Sequence, residues 1–476
     1  MHDLKLDGAP HLAEQDGAPH LAEQDPDSPA LKERLSELEQ HLRPLAGGTV
    51  PLLVAESDPV QVWAIVLTCQ RLGIPLFLGN PSWGSREWAQ ALATLGSGWY
   101  WRQGRLQGDP NPFNPLLQDL LKALPNPHWP PLCIPTGGSG GNLKWAIHSW
   151  LTLGASAKAH QQHFAVGAVH SYCVLPLYHV SGLMQAIRSW LSGGRLVLWD
   201  WKQQQQANRW DPPLPGSFLS LVPTQLQRLL HNSQPAVLEA LRQFRAILVG
   251  GGPTWPSLRQ QARRLHLPLS PTYGMTETAS QVCTLLPEQF LQGNESLGRP
   301  LPHATLQVCT DQGDPLPGQA VGTLHIQAES LALGYYPHLW QQQSFVPGDL
   351  GYLDQEGSLY WLGRADDLIL TGGEKVMAAE VEGEIRATGW VEDVWVLGLP
   401  DAEWGQQVVA VVVPKPKTGS PTELENQLNR HLSRQLSPFK RPKHWLWCAG
   451  IPRSPQGKVN RKQVQQWAAD LLNKQS

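Results

Sequence analysis

Asp349 and Arg364 frame a turn-rich ribbon that runs through Asp366 and Asp367 to Gly372-Gly373-Glu374 and then a helix. A carboxylate such as Asp349 can accept both hydroxyl hydrogens of a ribose, and the forked, permanently charged guanidinium of Arg364 can donate to the same sugar or to a phosphate. A hairpin with a weak surface ion pair would present the same letters. Upstream, Tyr273-Gly274-Met275-Thr276-Glu277 offers an aromatic face, a hydroxyl and a carboxylate in one short stretch. Tyr273 can stack on a purine, Thr276 can hydrogen-bond a phosphate or carboxylate oxygen, and Glu277 can hold Mg2+ directly or through water. A third group is Pro135-Thr136-Gly137-Gly138-Ser139-Gly140-Gly141-Asn142-Leu143-Lys144. Its glycines let backbone close around an anion, and Thr136, Ser139 and Lys144 add donors, although the spacing is not that of a Walker A loop and many glycine-rich segments are only turns. Gly250, Gly251 and Gly252, which follow an apolar run, could lie flat against a purine ring.

His179 and Arg188 form a separate pair. Leu175 to Trp190 reads as a strand end entering a helix, with His179 at the strand's mouth and Arg188 two to three turns deeper on a mostly apolar face. A histidine in such a place is commonly a satisfied structural residue. A guanidinium among Met184, Ile187, Trp190 and Leu191 requires an anion, supplied either by a protein carboxylate or by a ligand.

The elements that must carry these groups alternate. Leu31, Leu35, Leu38 and Leu42 define a helix starting near Ser28 or Pro29, and from Val50 to about Leu124 apolar strands such as Pro51 to Val54 alternate with helices such as Pro59 to Arg71. The strand-then-loop theme recurs at Phe218 and Ala246, as expected at the ligand edge of an α/β sheet. Beyond Arg364 the pattern becomes a small α+β unit. It has a helix over Ala378 to Arg386, strands at Val394 to Leu397 and Val408 to Val413, and a leucine stripe at 424, 428, 432 and 436. Residues 7–15 and 16–24 repeat the letters DGAPHLAEQ, with little to bury, and predict a flexible, dispensable tail over 1–25.

Composition excludes other classes. With 41% hydrophobic and 16% charged residues the chain folds, and 42 prolines with 44 glycines predict many turns. A formal charge of -3 without a long basic run argues against nucleic acid. The six cysteines (69, 133, 173, 283, 309 and 448) show neither C-x-x-C nor metal-ligand spacing, which predicts reduced thiols in a cytoplasmic protein. No signal peptide and no membrane-inserting segment is expected. The sequence leaves a homo-oligomer open.

Taken in order, the glycine loop, Tyr273 to Glu277, Gly348-Asp349, Gly363-Arg364, Gly372-Gly373-Glu374 and Gly457-Lys458 resemble the adenylate-forming acyl-CoA synthetase family, over roughly residues 130–465. The resemblance implies an α/β fold with a large multi-sheet N-terminal adenylation domain, here 26–364. A small mobile α+β C-terminal domain, 365–476, would carry the catalytic Lys458. ATP, Mg2+ and coenzyme A are the implied cosubstrates, with no prosthetic group. ATP would be held by Thr136, Gly137, Gly138, Ser139, Gly140, Gly141, Lys144, Gly251, Gly252, Tyr273, Gly274, Thr276, Asp349, Arg364 and Lys458. Thr276 and Glu277 would serve catalysis with Glu277 on the metal, Gly372, Gly373 and Glu374 would line the coenzyme A channel, and Asp366 would be the hinge. This copy departs from the family pattern at Gly137 and Gly140, where hydroxyl residues are common, and at Leu143, where proline is.

Within the family, Trp145 to Trp150, Tyr178 to Gly182 with Arg188, and Tyr273 to Gln281 are similar to the ligases that join o-succinylbenzoate to coenzyme A in menaquinone and phylloquinone synthesis. That likeness implies an aromatic dicarboxylic acid lined by His179, Ser181, Arg188, Ser280 and Gln281. Another aryl- or fatty-acyl-CoA ligase, a stand-alone adenylation enzyme, and a noncatalytic nucleotide-binding protein on the same fold stay open at this point.

Overall fold

The computed structural model describes residues 22–24, 29–47, 50–96, 98–108, 115–124, 130–137, 143–199, 201, 213–232, 234–416, 418–453 and 459–475. The leucine spacing near the start does form helix Pro29–Leu42, with Leu31, Leu35, Leu38 and Leu42 all buried. It packs on helix Pro59–Leu72, which Asp58 caps by accepting from the Val60 amide and which left-handed Gly73 ends.

Two eight-stranded sheets build the large domain. In the first, Leu196–Leu198, Ser171–Cys173, Phe218–Leu221, Ala246–Val249 and Leu269–Met275 run parallel, and Ser280–Thr284 then returns antiparallel beside the last of them. In the second, Leu132–Gly137, Leu76–Leu78, Leu52–Ala55 and Trp99–Arg102 are parallel, while Leu143–His148 and then Gly334–Tyr335 add antiparallel strands at one side. Leu196–Leu198, Phe218–Leu221 and Ala246–Val249 in the first sheet, and Leu76–Leu78 and Leu52–Ala55 in the second, are buried along their whole length, as strands covered on two faces must be. The third sheet is wholly antiparallel, with Ala304–Cys309, Gly322–Ala328, Asp349–Leu353 and Leu359–Arg364 in that order.

The chain leaves this third sheet through the turn Ala365–Asp367 and enters the five-stranded sheet of the small domain at Leu368–Thr371. There Val391–Asp401 and Gly405–Pro414 pair antiparallel, and helix Pro421–Gln435 buries Leu424, Leu428 and Leu432 of the expected stripe, with Leu436 buried as its C-cap. Helix Ala378–Ala387 faces the large domain, its Arg386 guanidinium 5.7 Å from the centre of the Trp255 ring.

One expectation changes. The last three residues of the second repeat, Ala22–Gln24, are not tail but an edge strand, antiparallel to Leu196–Leu198. Edge pairing uses backbone groups alone, so a segment with little to bury can still cover an open sheet edge. All six cysteines are free, and among the described residues no helix is long and apolar enough to cross a membrane.

Candidate active site

A cleft of about 3180 Å³ opens where the loops of the large domain face the small one. The turn after strand Leu269–Met275 forms its floor. Gly274 is required there, because a Cβ on it would lie 1.8 Å from the Ser280 carbonyl oxygen. Ala279 and Ser280 both adopt left-handed backbone, at φ 47° and 83°, which side chains rarely accept. Three buried donors hold the turn by its carbonyls. His148 Nε2 donates to Thr276 O (2.8 Å), Ser330 Oγ to Thr278 O (2.9 Å) and Ser156 Oγ to Ala279 O (2.8 Å).

At one side of the cleft, the Tyr273 phenol donates to Asp349 Oδ2 at 2.6 Å. Asp349 pairs in register with Arg364 across adjacent strands, with 3.6 Å between their charged groups. Burial raises the Asp349 carboxyl above its usual range, and the Tyr273, Arg364 and Trp361 contacts oppose that rise. Arg364 also reaches Asp366, which is exposed, at 3.8 Å, so the expected ribose-binding pair and the expected hinge residue share one guanidinium. Gly250, Gly251 and Gly252 line the same cleft, with Gly251 at φ 77°. The hairpin Leu132–Gly137 with Leu143–His148 sets Thr136 opposite Lys144, and both line the cleft. Gly138, Ser139, Gly140 and Gly141 lie outside the described residues, as does Lys458.

Glu277 is buried and accepts from the Tyr335 phenol on Oε1 at 2.6 Å. No lysine, arginine or histidine of the described residues pairs with it, so the carboxylate suits a divalent cation. Among the described residues no group of three or more His, Cys, Asp or Glu side chains could hold a metal.

On the far side of the turn, Arg188 of helix Val180–Ser192 is 3% exposed and donates from Nη2 to Ser280 Oγ at 3.2 Å. Among the described residues its Nε has no partner and no carboxylate pairs with it, and burial pushes the guanidinium down to about 9, still charged at neutral pH. His160 and His303 feel it. Burial first and then Arg188 hold both rings below their usual range, His303 at about 4. His179 occupies the helix N-cap and Ser181 the first turn, and both line the cleft. Gln281 lines it as well. Its amide is engaged below the floor, accepting from His160 Nδ1 (3.0 Å) and donating to Thr284 Oγ1 (2.9 Å), so it fixes the floor in addition to facing the ligand space.

The remaining expected groups are not gathered here. Gly372, Gly373 and Glu374 form an exposed turn that does not line the cleft, and a Cβ on Gly372 would come within 2.7 Å of the Trp404 ring. Val459, Asn460 and Arg461 do line it, and Arg461 ion-pairs with Asp367 at 2.7 Å. Sequence reasoning missed Tyr335, His148 and Arg461. Tyr335 lacks any motif, His148 sits inside the Trp145 to Trp150 stretch with no signal of its own, and Arg461 is an ordinary polar position after Gly457-Lys458.

The His148 clamp has a pH signature. Burial pushes this ring from 6.5 down to about 4, with the Thr276 hydrogen bond partly opposing. A depressed folded value means stability that is complete above about 6.5 and lost as pH falls toward 4. Thermal melting should therefore drop over that window, and His148→Gln, which keeps a donor but cannot titrate, should drop less. Equal slopes for both would contradict the assignment.

Residues 101–336 match the AMP-binding enzyme family, and residues 380–458 match the AMP-binding enzyme C-terminal domain. A relative from Enterococcus faecalis (strain ATCC 700802 / V583), named 2-succinylbenzoate--CoA ligase, is 32% identical over 331 residues, covering 68% of this chain and 67% of its own length. One of the same name from Geobacillus kaustophilus (strain HTA426) is 32% identical over 346 residues, covering 69% and 67%. The o-succinylbenzoate CoA synthetase of Bacillus subtilis, solved with its acyl-adenylate intermediate, shares the fold with a TM-score of 0.74 at 23% identity over 92% of each chain. This chain belongs to the AMP-binding enzyme family.

Proposed function

We propose that the chain is an ATP-dependent, AMP-forming acid–CoA ligase that converts 2-succinylbenzoate to its CoA thioester. Two relatives bear that name over two thirds of their length. The observation that carries the choice of acid is Arg188, a buried guanidinium beside the cleft with no protein carboxylate paired to it among the described residues. Leaving such a charge uncompensated is costly, and a monocarboxylic fatty acid, whose one carboxylate is consumed in activation, would leave it so. A diacid presents one carboxylate to ATP and keeps the other for Arg188 and Ser280.

The reaction runs in two steps. The substrate carboxylate attacks the α-phosphorus of ATP, forming the acyl-adenylate and expelling pyrophosphate. The thiol of coenzyme A then attacks the acyl carbon, loses its proton and expels AMP. In this reading Asp349 and Arg364 hold the ribose, Tyr273 and Gly250 to Gly252 flank the adenine, and Thr136 and Lys144 approach the phosphates. Glu277 holds Mg2+, which when bound offsets charge on the phosphate oxygens. Lys458 stabilises the charge that builds on the α-phosphoryl group during the first step. The position of Val459 to Arg461 on the cleft supports that role, and the exposure of Gly372 to Glu374 supports their use only after the small domain turns about Asp366.

Pyrophosphate release measured with a panel of acids, with and without coenzyme A, tests the substrate. The diacid should exceed benzoate and fatty acids, and Arg188→Ala should reduce its use by at least about 30-fold, the equivalent of roughly 2–5 kcal/mol for one side of a desolvated pair, with ATP affinity changed far less. Equal losses for both ligands would make Arg188 structural.

The two-step assignment has its own test in single turnover with each half-reaction isolated. Lys458→Ala should slow acyl-adenylate formation at least about a hundredfold and barely change thioester formation from supplied adenylate. Gly373→Leu should do the reverse, so that adenylate accumulates. If both variants lose the same half-reaction, domain alternation is the wrong account.

A further inference from the structure

We propose that Tyr335 is a positioning residue for the cation carboxylate, holding Glu277 by one oxygen so that the other is presented to Mg2+. This rests on the reading of Glu277 as the metal ligand. Among the described residues the Tyr335 phenol is the one side-chain partner of Glu277, donating to Oε1 at 2.6 Å. A carboxylate on a flexible stem, held by a single short bond to one oxygen, loses its rotational freedom while its second oxygen keeps both lone pairs for a cation. The phenol is neutral, so it orients the carboxylate without cancelling the charge that attracts the metal.

The phenol is itself placed by contacts that reach the phosphate side of the cleft. Strand Gly334–Tyr335 pairs antiparallel with Leu143–His148, setting Tyr335 opposite Ala146. The Ala332 amide donates to Glu277 O at 2.7 Å, tying the segment before that strand to the turn that carries the carboxylate. Lys144 Nζ lies 4.9 Å from the centre of the Tyr335 ring, and Trp340 meets the ring edge-on at 5.2 Å. One side chain thus joins the cation expected at the phosphates, Lys144, to the carboxylate expected to hold the metal. Ring and hydroxyl have separable duties, because the ring seats Lys144 and only the hydroxyl meets Glu277.

Calorimetric titration of the full chain with ATP, once with excess Mg2+ and once in EDTA, reads the metal's contribution to binding without turnover. The wild-type chain should prefer Mg·ATP, and Glu277→Gln should erase that preference. Tyr335→Phe, which keeps the ring under Lys144, should reduce the preference about tenfold or more, the usual scale for losing a group that orients a metal ligand, while affinity in EDTA and the melting temperature stay as in wild type. A wild-type preference in Tyr335→Phe, or equal weakening with and without metal, overturns the proposal and leaves Glu277 in place. A chain with no preference for Mg·ATP, or a Glu277→Gln variant that retains it, overturns both.

Discussion

The close approach of Gly274 to the Ser280 carbonyl is the constraint on which the cleft depends. It forces the chain to reverse within Gly274 to Gln281, through two left-handed residues and a short helical turn whose carbonyls His148, Ser156 and Ser330 hold from below. From that reversal, Tyr273 points to Asp349, Glu277 to Tyr335 and Ser280 to Arg188. The side chains proposed to meet nucleotide, cation and acid thus hang on one backbone feature, and a rigid feature there would hold them in a fixed mutual geometry.

The charges around the turn are deliberately unequal. Asp349 and Arg364 compensate one another, as do Arg461 and Asp367 at the domain boundary. Among the described residues Arg188 and Glu277 have no charged partner, although both are buried. An isolated buried charge costs several kcal/mol, which a structure sustains where a ligand brings the opposite sign. In the proposed reading those ligands are a carboxylate for the first and a divalent cation for the second, the two that an acid-activating ATP enzyme must hold together.

Much of this was legible in the sequence because the loop at Gly250 and the turn at Thr276 follow strands of a parallel sheet, and a strand that ends there delivers its loop to the ligand side. The leucine stripes at 31 to 42 and 424 to 436 likewise encode their own burial. What escaped depends on distant pairing. Tyr335 reaches Glu277 only because a two-residue strand docks on Leu143–His148, and Ala22–Gln24 forms a strand from backbone bonds that its side chains do not advertise. Nor does any local pattern record that Gly372 to Glu374 stand apart from the cleft.

The most direct test of this dependence is Gly274→Ala, assayed for acyl-adenylate formation across concentrations of Mg·ATP and of 2-succinylbenzoate in turn. An added Cβ must displace the reversal, and shifts of about 1 Å at reacting groups can cost on the order of a hundredfold. The account predicts that apparent affinity for both ligands falls together, by at least about tenfold, while the small domain melts as in wild type. Wild-type affinity for either ligand would show that the two flanks of the cleft are held independently, and would contradict it.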